Sequence, residues 1–344
     1  MKLSFLTTKN DLITSSMAHQ EKHPCLKEKS ERGECAQDPL WKPEGKVYSP
    51  GVVGLHEEII DFVDYIGPSY EGCFLREIII SKVRDLVSSL WPECKVEVFG
   101  SFSTGLYLPT SDVDIVLFGK WAQLPLGTLE RALKENNFAT DIKVISKATV
   151  PIVKFTDADT GLHVDISFNV TNGVRTTKFV RMCLENYPCL RYLVLTLKQF
   201  LLLRELNEVC TGGLSSYALV LMCICFLQQN NMKNESINSI NLGTLLLEFF
   251  EFYGIRFNYR RTGIKFSGNW SFISKMSSEV KNYYLFDRFL YIEDPLYPGH
   301  NVTGGSYASD MVLAAFKHAY LTLTGILRNN VKRARTMLSS ILYV

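Results

Sequence analysis

The stretch VFGSFSTGLYLPTSDVDIVLF, residues 98–118, places two aspartates two positions apart inside an otherwise apolar run. Read as a strand, it puts Asp112, Asp114 and Val116 on one face and Val113, Ile115 and Leu117 on the other. Two carboxylates side by side repel each other, so they need a compensating cation, a shared proton or full solvation. Upstream, the strand KVEVF runs into a turn at Gly100-Ser101, and ten residues separate Ser101 from Asp112. A glycine after a strand lets the backbone approach a ligand closely. The free N–H groups of the turn or helix that follows favour an anion, and the Ser101 hydroxyl adds a donor.

A third acid, Asp165, sits in LHVDISF (162–168), where His163, Asp165 and Ser167 face away from Val164, Ile166 and Phe168. Three carboxylates from two strands form a hard-oxygen site suited to Mg²⁺, which takes carboxylates together with substrate phosphates. An isolated Asp-x-Asp is weak evidence; the Gly-Ser element and the third acid give it weight.

Around these strands the pattern is that of helices packed on a small mixed sheet. GLHEEIIDFVDYI (54–66) and FLREIIISKVRDLVSSLW (74–91, stopped by Pro92) carry apolar residues at helical spacing. TLERALKENN (128–137) reads as a helix, and KVISKATVPIVKFTD (143–157) as two strands around Thr149-Val150-Pro151. The sheet should end near residue 170, with helices alone beyond it, over 190–206, 215–229, 242–254 and within 309–328. The expected class is α+β.

Composition bounds the remainder. A chain of 344 residues suggests two domains, and 47% hydrophobic with 21% charged residues is the balance of a globular soluble protein. The net charge of +2 leaves room for a local basic groove. Nine cysteines without a C-x2-C pair speak against a zinc or disulfide framework and for an intracellular chain. No stretch approaches the roughly 20 apolar residues of a membrane span, so no membrane partner is expected. Asn-x-Ser/Thr triplets at Asn234, Asn269 and Asn301 then carry no glycosylation meaning.

FGSFSTGLYLPTSDVDIVLFGKW (99–121), LHVDISFN (162–169), LKQFLLLRELNEVCTGGLSSYALVLM (197–222) and YIEDPLYPGHNV (291–302) together resemble the noncanonical poly(A) polymerases. These are terminal nucleotidyltransferases of the DNA polymerase β superfamily, and the likeness is greatest to the Trf4-like nuclear branch. The resemblance implies a bilobal enzyme with a polymerase-β-like nucleotidyltransferase domain over 71–172 and a mainly helical, PAP-associated central domain over 173–328. It places a nucleotide-recognition loop at 291–307 and an N-terminal segment (41–70) packing on the central domain; residues 1–40, polar, rich in Lys, Glu and Ser and without periodicity, read as disordered, and 329–344 as a basic tail. The implied reaction adds AMP from ATP to RNA 3′ ends and releases pyrophosphate, with two Mg²⁺ ions for which Mn²⁺ can substitute. By this likeness Asp112 and Asp114 bridge both metals, and Asp165 holds the one that activates the 3′-hydroxyl.

Lys198 stands out independently, because its helical neighbours Val194, Leu195, Leu201 and Leu202 are all apolar. A lysine in such a stripe must snorkel or meet an anion. By resemblance it contacts phosphate, whereas the second lysine of uridylyl-adding relatives is Leu202 here. GGLSSYALVL reads as a turn, an N-capping Ser215 and a helix start, with Ser216 for phosphate and Tyr217 for stacking on the base. Asp294 matches the base-recognition motif. His300 falls where Trf4-like enzymes usually carry asparagine and a uridylyl-adding branch carries histidine, and Thr303-Gly304-Gly305 replaces a usual Gly-Arg.

No RNA-recognition sheet, zinc knuckle or Arg-Gly tract is visible, and Lys332, Arg333 and Arg335 form a charge cluster of the kind that is usually just solvated. An RNA-binding partner of the zinc-knuckle type, linked to exosome decay machinery, is therefore expected by resemblance. Nuclear placement is expected too, with the cytoplasm as alternative. The competing readings are uridylyl transfer and an inactive RNA- or partner-binding scaffold. The presence of all three acids argues against the scaffold.

Overall fold

The computed structural model describes residues 38–266, 268–275, 289–329 and 336–342. Most of the N-terminal stretch expected to be disordered, and the cluster Lys332, Arg333 and Arg335, lie outside the described residues. The centre is a five-stranded sheet of β1 (Lys95–Phe99), β2 (Val113–Phe118), β3 (Ala139–Ile145), β4 (Ile152–Asp157) and β5 (His163–Phe168). Its spatial order is β1-β2-β5-β4-β3. Only β2 and β5 run parallel, and the other neighbours are antiparallel.

Alternation decides which face is buried. Val113, Ile115, Leu117, Val164, Ile166, Val153 and Phe155 point into one core. Two helices cover them: α1 (Gly51–Ile66) precedes α2 (Tyr70–Leu90), which packs Ile79, Ile80, Val83 and Val87 here, and α4 (Leu126–Glu135) adds Leu129 and Leu133. Each such side chain contributes on the order of 1.5–3 kcal/mol as it leaves water. The start of α2 is fixed by Ser69, whose hydroxyl accepts the Gly72 N–H at 3.0 Å. The other face of the sheet carries the acids. Val116 is a partial exception to the expected two-faced strand, since it shares their parity yet is buried.

Between β1 and β2 a single turn of helix, α3 (Gly100–Thr104), ends on left-handed Gly105. After β5 comes α5 (Thr171–Asn186), which the hydropathy pattern does not announce. Only Thr177, Phe179, Val180 and Cys183 of its 16 residues are buried, too thin a stripe to read from sequence.

The second core gathers α1, α6 (Leu190–Leu202), α7 (Ser216–Gln229), α8 (Leu242–Glu251) and α9 (Ser309–Asn329). The ten residues Ala218–Leu227 of α7 are all buried, as befits a helix apolar on every side. The helix expected over 190–206 stops at Leu202, and Glu205 adopts φ 56°. The pattern expected to end at 254 continues instead as a π-turn, Phe252–Arg256.

The expectation of helices alone beyond residue 170 is corrected. β6 (Thr262–Phe266) pairs with β7 (Trp270–Ser274), and β8 (Glu293–Asp294) with β9 (Tyr297–Asn301). A two-residue strand opposite the polar YPGHN shows no alternation to detect. The chain closes with α10 (Ser339–Leu342). The N–H groups of Met337 and Leu338 donate to the buried Glu58 carboxylate of α1, at 2.9 and 2.6 Å.

Candidate active site and nucleotide cleft

Register places the acids. Across the sheet Phe99 pairs with Asp114, Asp114 with Asp165, and Asp165 with Lys154. Asp112 lies just before β2, in a loop gripped from behind. Arg76 of α2, 2% exposed, donates to the carbonyls of Pro109 and Ser111 at 3.0 Å each. The guanidinium lies over the Tyr107 ring at 4.3 Å. A buried arginine spent on backbone carbonyls fixes that loop, and no sequence signal marks it as a support for Asp112.

Gly100 faces the acids at closest range. Its φ is +71°, and a Cβ built there would lie 2.1 Å from Asp114 Oδ2. Its N–H donates to Thr177 Oγ1 at 2.9 Å, which ties α5 to this turn. Burial first, and then the charges of Asp165 and Asp112, push the Asp114 carboxyl up to about 7. Asp165 is also raised by burial, against the pull of Lys154.

Lys154 is the residue that reading the sequence alone misses. Its ammonium donates to Asp112 Oδ2 at 2.8 Å and lies 3.2 Å from Asp165 Oδ1. Burial alone would lower its pKa, but the hydrogen bond to Asp112 and the charges of both acids hold it above the ordinary lysine range. The compensating cation required by the paired aspartates is thus supplied by the chain itself. Its signal was the parity of VPIVKF against LHVDISF, which has meaning only once β4 and β5 are known to pair.

A cavity of about 300 Å³ opens beside this cluster and is lined by Ser101, Asp112, Asp114, Lys198, Leu202 and Ser216, among others. Asn207 and Glu208 line it too, and the motif reading did not single them out. Lys198 is 8% exposed and donates to the Leu106 carbonyl at 2.7 Å. Burial pushes its amine down to about 8, opposed by Asp114. The N-cap of α7 is as expected: Ser215 Oγ accepts the Ala218 N–H at 3.1 Å, and Ser216 opens the helix toward the cavity.

The remaining candidates form a second group outside that lining. Tyr217 donates its hydroxyl to Asp294 Oδ1 at 3.1 Å, and Asp294 also accepts the Leu296 N–H at 2.9 Å. His300 is exposed, with Nδ1 3.8 Å from Asp294 Oδ2, beyond hydrogen-bond reach. The hairpin that carries it is held to α5, since Tyr297 donates to Asn172 Oδ1 and lies under Arg175 at 5.0 Å.

The donor set fits a divalent cation. Three carboxylates share one surface, Asp165 Oδ1 is buried without a hydrogen bond, and the space before Asp114 admits no Cβ on Gly100. Among the described residues no three such ligands converge as a finished cage. The ammonium of Lys154 stands among them instead.

Comparison with known proteins agrees with this geometry. Residues 55–185 match the family model of the central palm domain of mitochondrial-like poly(A) RNA polymerase, and 241–300 that of the Cid1 family poly A polymerase. The chain is 40% identical over 278 residues to poly(A) RNA polymerase protein 2 of Saccharomyces cerevisiae, covering 78% of this chain and 47% of that protein. It spans about half the length, or less, of such curated relatives. It is 36% identical to a Drosophila melanogaster protein named an inactive noncanonical poly(A) RNA polymerase, over 83% of this chain and 72% of that one. Among solved structures, the polymerase core of TRAMP, an RNA surveillance complex, superposes with a TM-score of 0.75 at 36% identity. That match covers 84% of this chain and 94% of the other.

Proposed function

The chain belongs to the noncanonical poly(A) RNA polymerases, and from that premise we propose that it is a template-independent RNA 3′-terminal nucleotidyltransferase adding AMP from ATP. The observation that carries this reading is the direct pairing of Asp114 with Asp165 across parallel strands, with Asp112 alongside and Gly100 pressed against the carboxylate. Asp112, Asp114 and Asp165 would hold two Mg²⁺, or Mn²⁺ in their place, which would lower the pKa of the RNA 3′-hydroxyl and offset charge on pyrophosphate.

The chain's own groups do the rest. Ser101, in α3, and Ser216, at the start of α7, both line the cavity and offer hydroxyls to the triphosphate. Lys198, whose ammonium meets the Leu106 carbonyl, turns the same donors to phosphate in a site walled by leucines, where a charge contact is stronger than in water. Tyr217 offers the base a ring whose hydroxyl is anchored on Asp294. Stacking of that kind contributes roughly 1–3 kcal/mol and tolerates any base.

The wider setting belongs to the same proposal. A role in RNA surveillance or processing is supported by family membership and by likeness to the core of an RNA surveillance complex; a nuclear setting, a zinc-knuckle RNA-binding partner and exosome-linked decay machinery complete the proposal. The decisive test is primer extension on a short unstructured RNA with Mg²⁺ and each nucleotide. Wild type should extend with ATP, and Asp112→Ala and Asp114→Ala should lose at least a thousandfold of that rate, on the order of a metal-site loss. Equal rates in wild type and variants would leave an inactive scaffold, as the Drosophila relative is named.

A second reading, uridylyl transfer, has one observation in its favour: His300 stands 3.8 Å from the Asp294 carboxylate of the base-recognition group. An imidazole is bulkier than a carboxamide and offers one donor and one acceptor when neutral. Under the ATP reading, His300→Asn leaves the order of the four nucleotides unchanged. A switch from UTP to ATP on that substitution would establish the second reading.

A further inference from the structure

We propose that Lys154 is a tethered counter-ion of the catalytic carboxylates, which holds them together before metal arrives and competes with that metal for Asp112 and Asp165. The inference rests on the reading of Asp112, Asp114 and Asp165 as metal ligands. One row crosses the whole sheet: Phe99, Asp114, Asp165, Lys154 and then Lys143, each directly paired with the next. The row is a ladder of two acids followed by two lysines, and pairing alone puts the Lys154 stem beside Asp165. Its ammonium reaches past that partner to Asp112, at 2.8 Å.

The two cations compete for the same carboxylates. Mg²⁺ or Mn²⁺ coordinates a carboxylate oxygen at about 2.1 Å. The ammonium already donates to Oδ2 of Asp112 and to Oδ2 of Asp165 at 3.3 Å, and lies 3.2 Å from Asp165 Oδ1. Two cations cannot share those oxygens without strong repulsion, so metal entry requires the ammonium to leave. Lys154 can do so, since its side chain is about one-third exposed at 35% and only its stem is fixed by β4. Without metal, three acids on one surface would repel one another, and Lys154 cancels part of that charge. The free protein is therefore a poor binder of bare metal, and a triphosphate that brings its own oxygens restores the balance. Metal and nucleotide then load together.

The test is Mn²⁺ titration of the full chain without nucleotide, read by electron paramagnetic resonance, with melting in EDTA alongside. Lys154→Met should bind Mn²⁺ roughly tenfold more tightly than wild type, as expected when a competing cation is removed. The same variant should melt lower in EDTA and gain more in Tm from Mn²⁺. Lys154→Arg, which keeps the cation, and Lys143→Met, which removes the next lysine on the row, should stay within about twofold of wild type. Unchanged or weaker Mn²⁺ affinity in Lys154→Met overturns the proposal. Should that variant fail to fold, Lys154→Gln carries the same comparison with the polar end retained. Asp165→Asn separates the two levels of inference. If it leaves Mn²⁺ binding in the presence of ATP untouched, the metal-ligand reading itself fails, whatever Lys154 does.

Discussion

Gly100 shows how little freedom a single position retains here. It needs a left-handed backbone, which costs a side-chain-bearing residue about 1–2 kcal/mol, and it needs the room that a methyl would take from Asp114. Gly100→Ala should therefore fold with a stability loss of about 1–3 kcal/mol in a urea melt. Its displaced carboxylate should lower primer extension by about a hundredfold, the usual consequence of a misplacement near 1 Å. An alanine variant with wild-type rates would show that the close approach does not serve catalysis. At this scale the sequence was readable where a residue broke its local pattern, as aspartates in an apolar strand and a lysine in a leucine stripe do. Lys154 and Arg76 break no local pattern. Their partners lie 42 residues away for Lys154 with Asp112, and 33 and 35 for Arg76 with Pro109 and Ser111, so their roles exist only in three dimensions.

Elements hold together through a few charged contacts that can be probed by pH. Burial, against two backbone N–H donors from Leu338 and Met337, pushes the Glu58 carboxyl up to about 7. Between the ordinary glutamate value and that point the native state binds more protons than the unfolded chain. Stability must therefore fall as pH rises from about 5 to 7 and level off above. The effect is at most about 3 kcal/mol. Urea midpoints taken across that window should decline in wild type, and Glu58→Gln should flatten the slope. A slope unaltered by the substitution would assign the dependence to other groups. Elements were legible from sequence in proportion to their apolar stripe: α6, α7 and α8 announce themselves, while α5 and the β8–β9 hairpin do not. Neither carries a continuous apolar stripe: α5 buries only Phe179, Val180 and Cys183 in the helical core, and β9 is largely exposed.

For the whole molecule, the apolar residues form two clusters, one under the sheet and one among the helices, and leucines at the edge of the second wall the cavity beside the acids. Hydrophobic periodicity found both clusters, because that is the signal burial writes into a sequence. It could not find the contact between the palm and the recognition hairpin, which is polar and made of single side chains. That contact runs through α5. Thr177 accepts the amide of Gly100 at one point of the helix, while Asn172 and Arg175 hold Tyr297 at another. Five residues of helix rise about 7.5 Å. One stiff rod thus acts as a ruler between the glycine turn beside the acids and the β8–β9 hairpin. An outward shift of the hairpin pulls on the rod at Asn172 and Arg175. Turning the rod moves Thr177, near its middle, and with it the Gly100 amide, so a displacement of the hairpin is felt at the turn beside the acids.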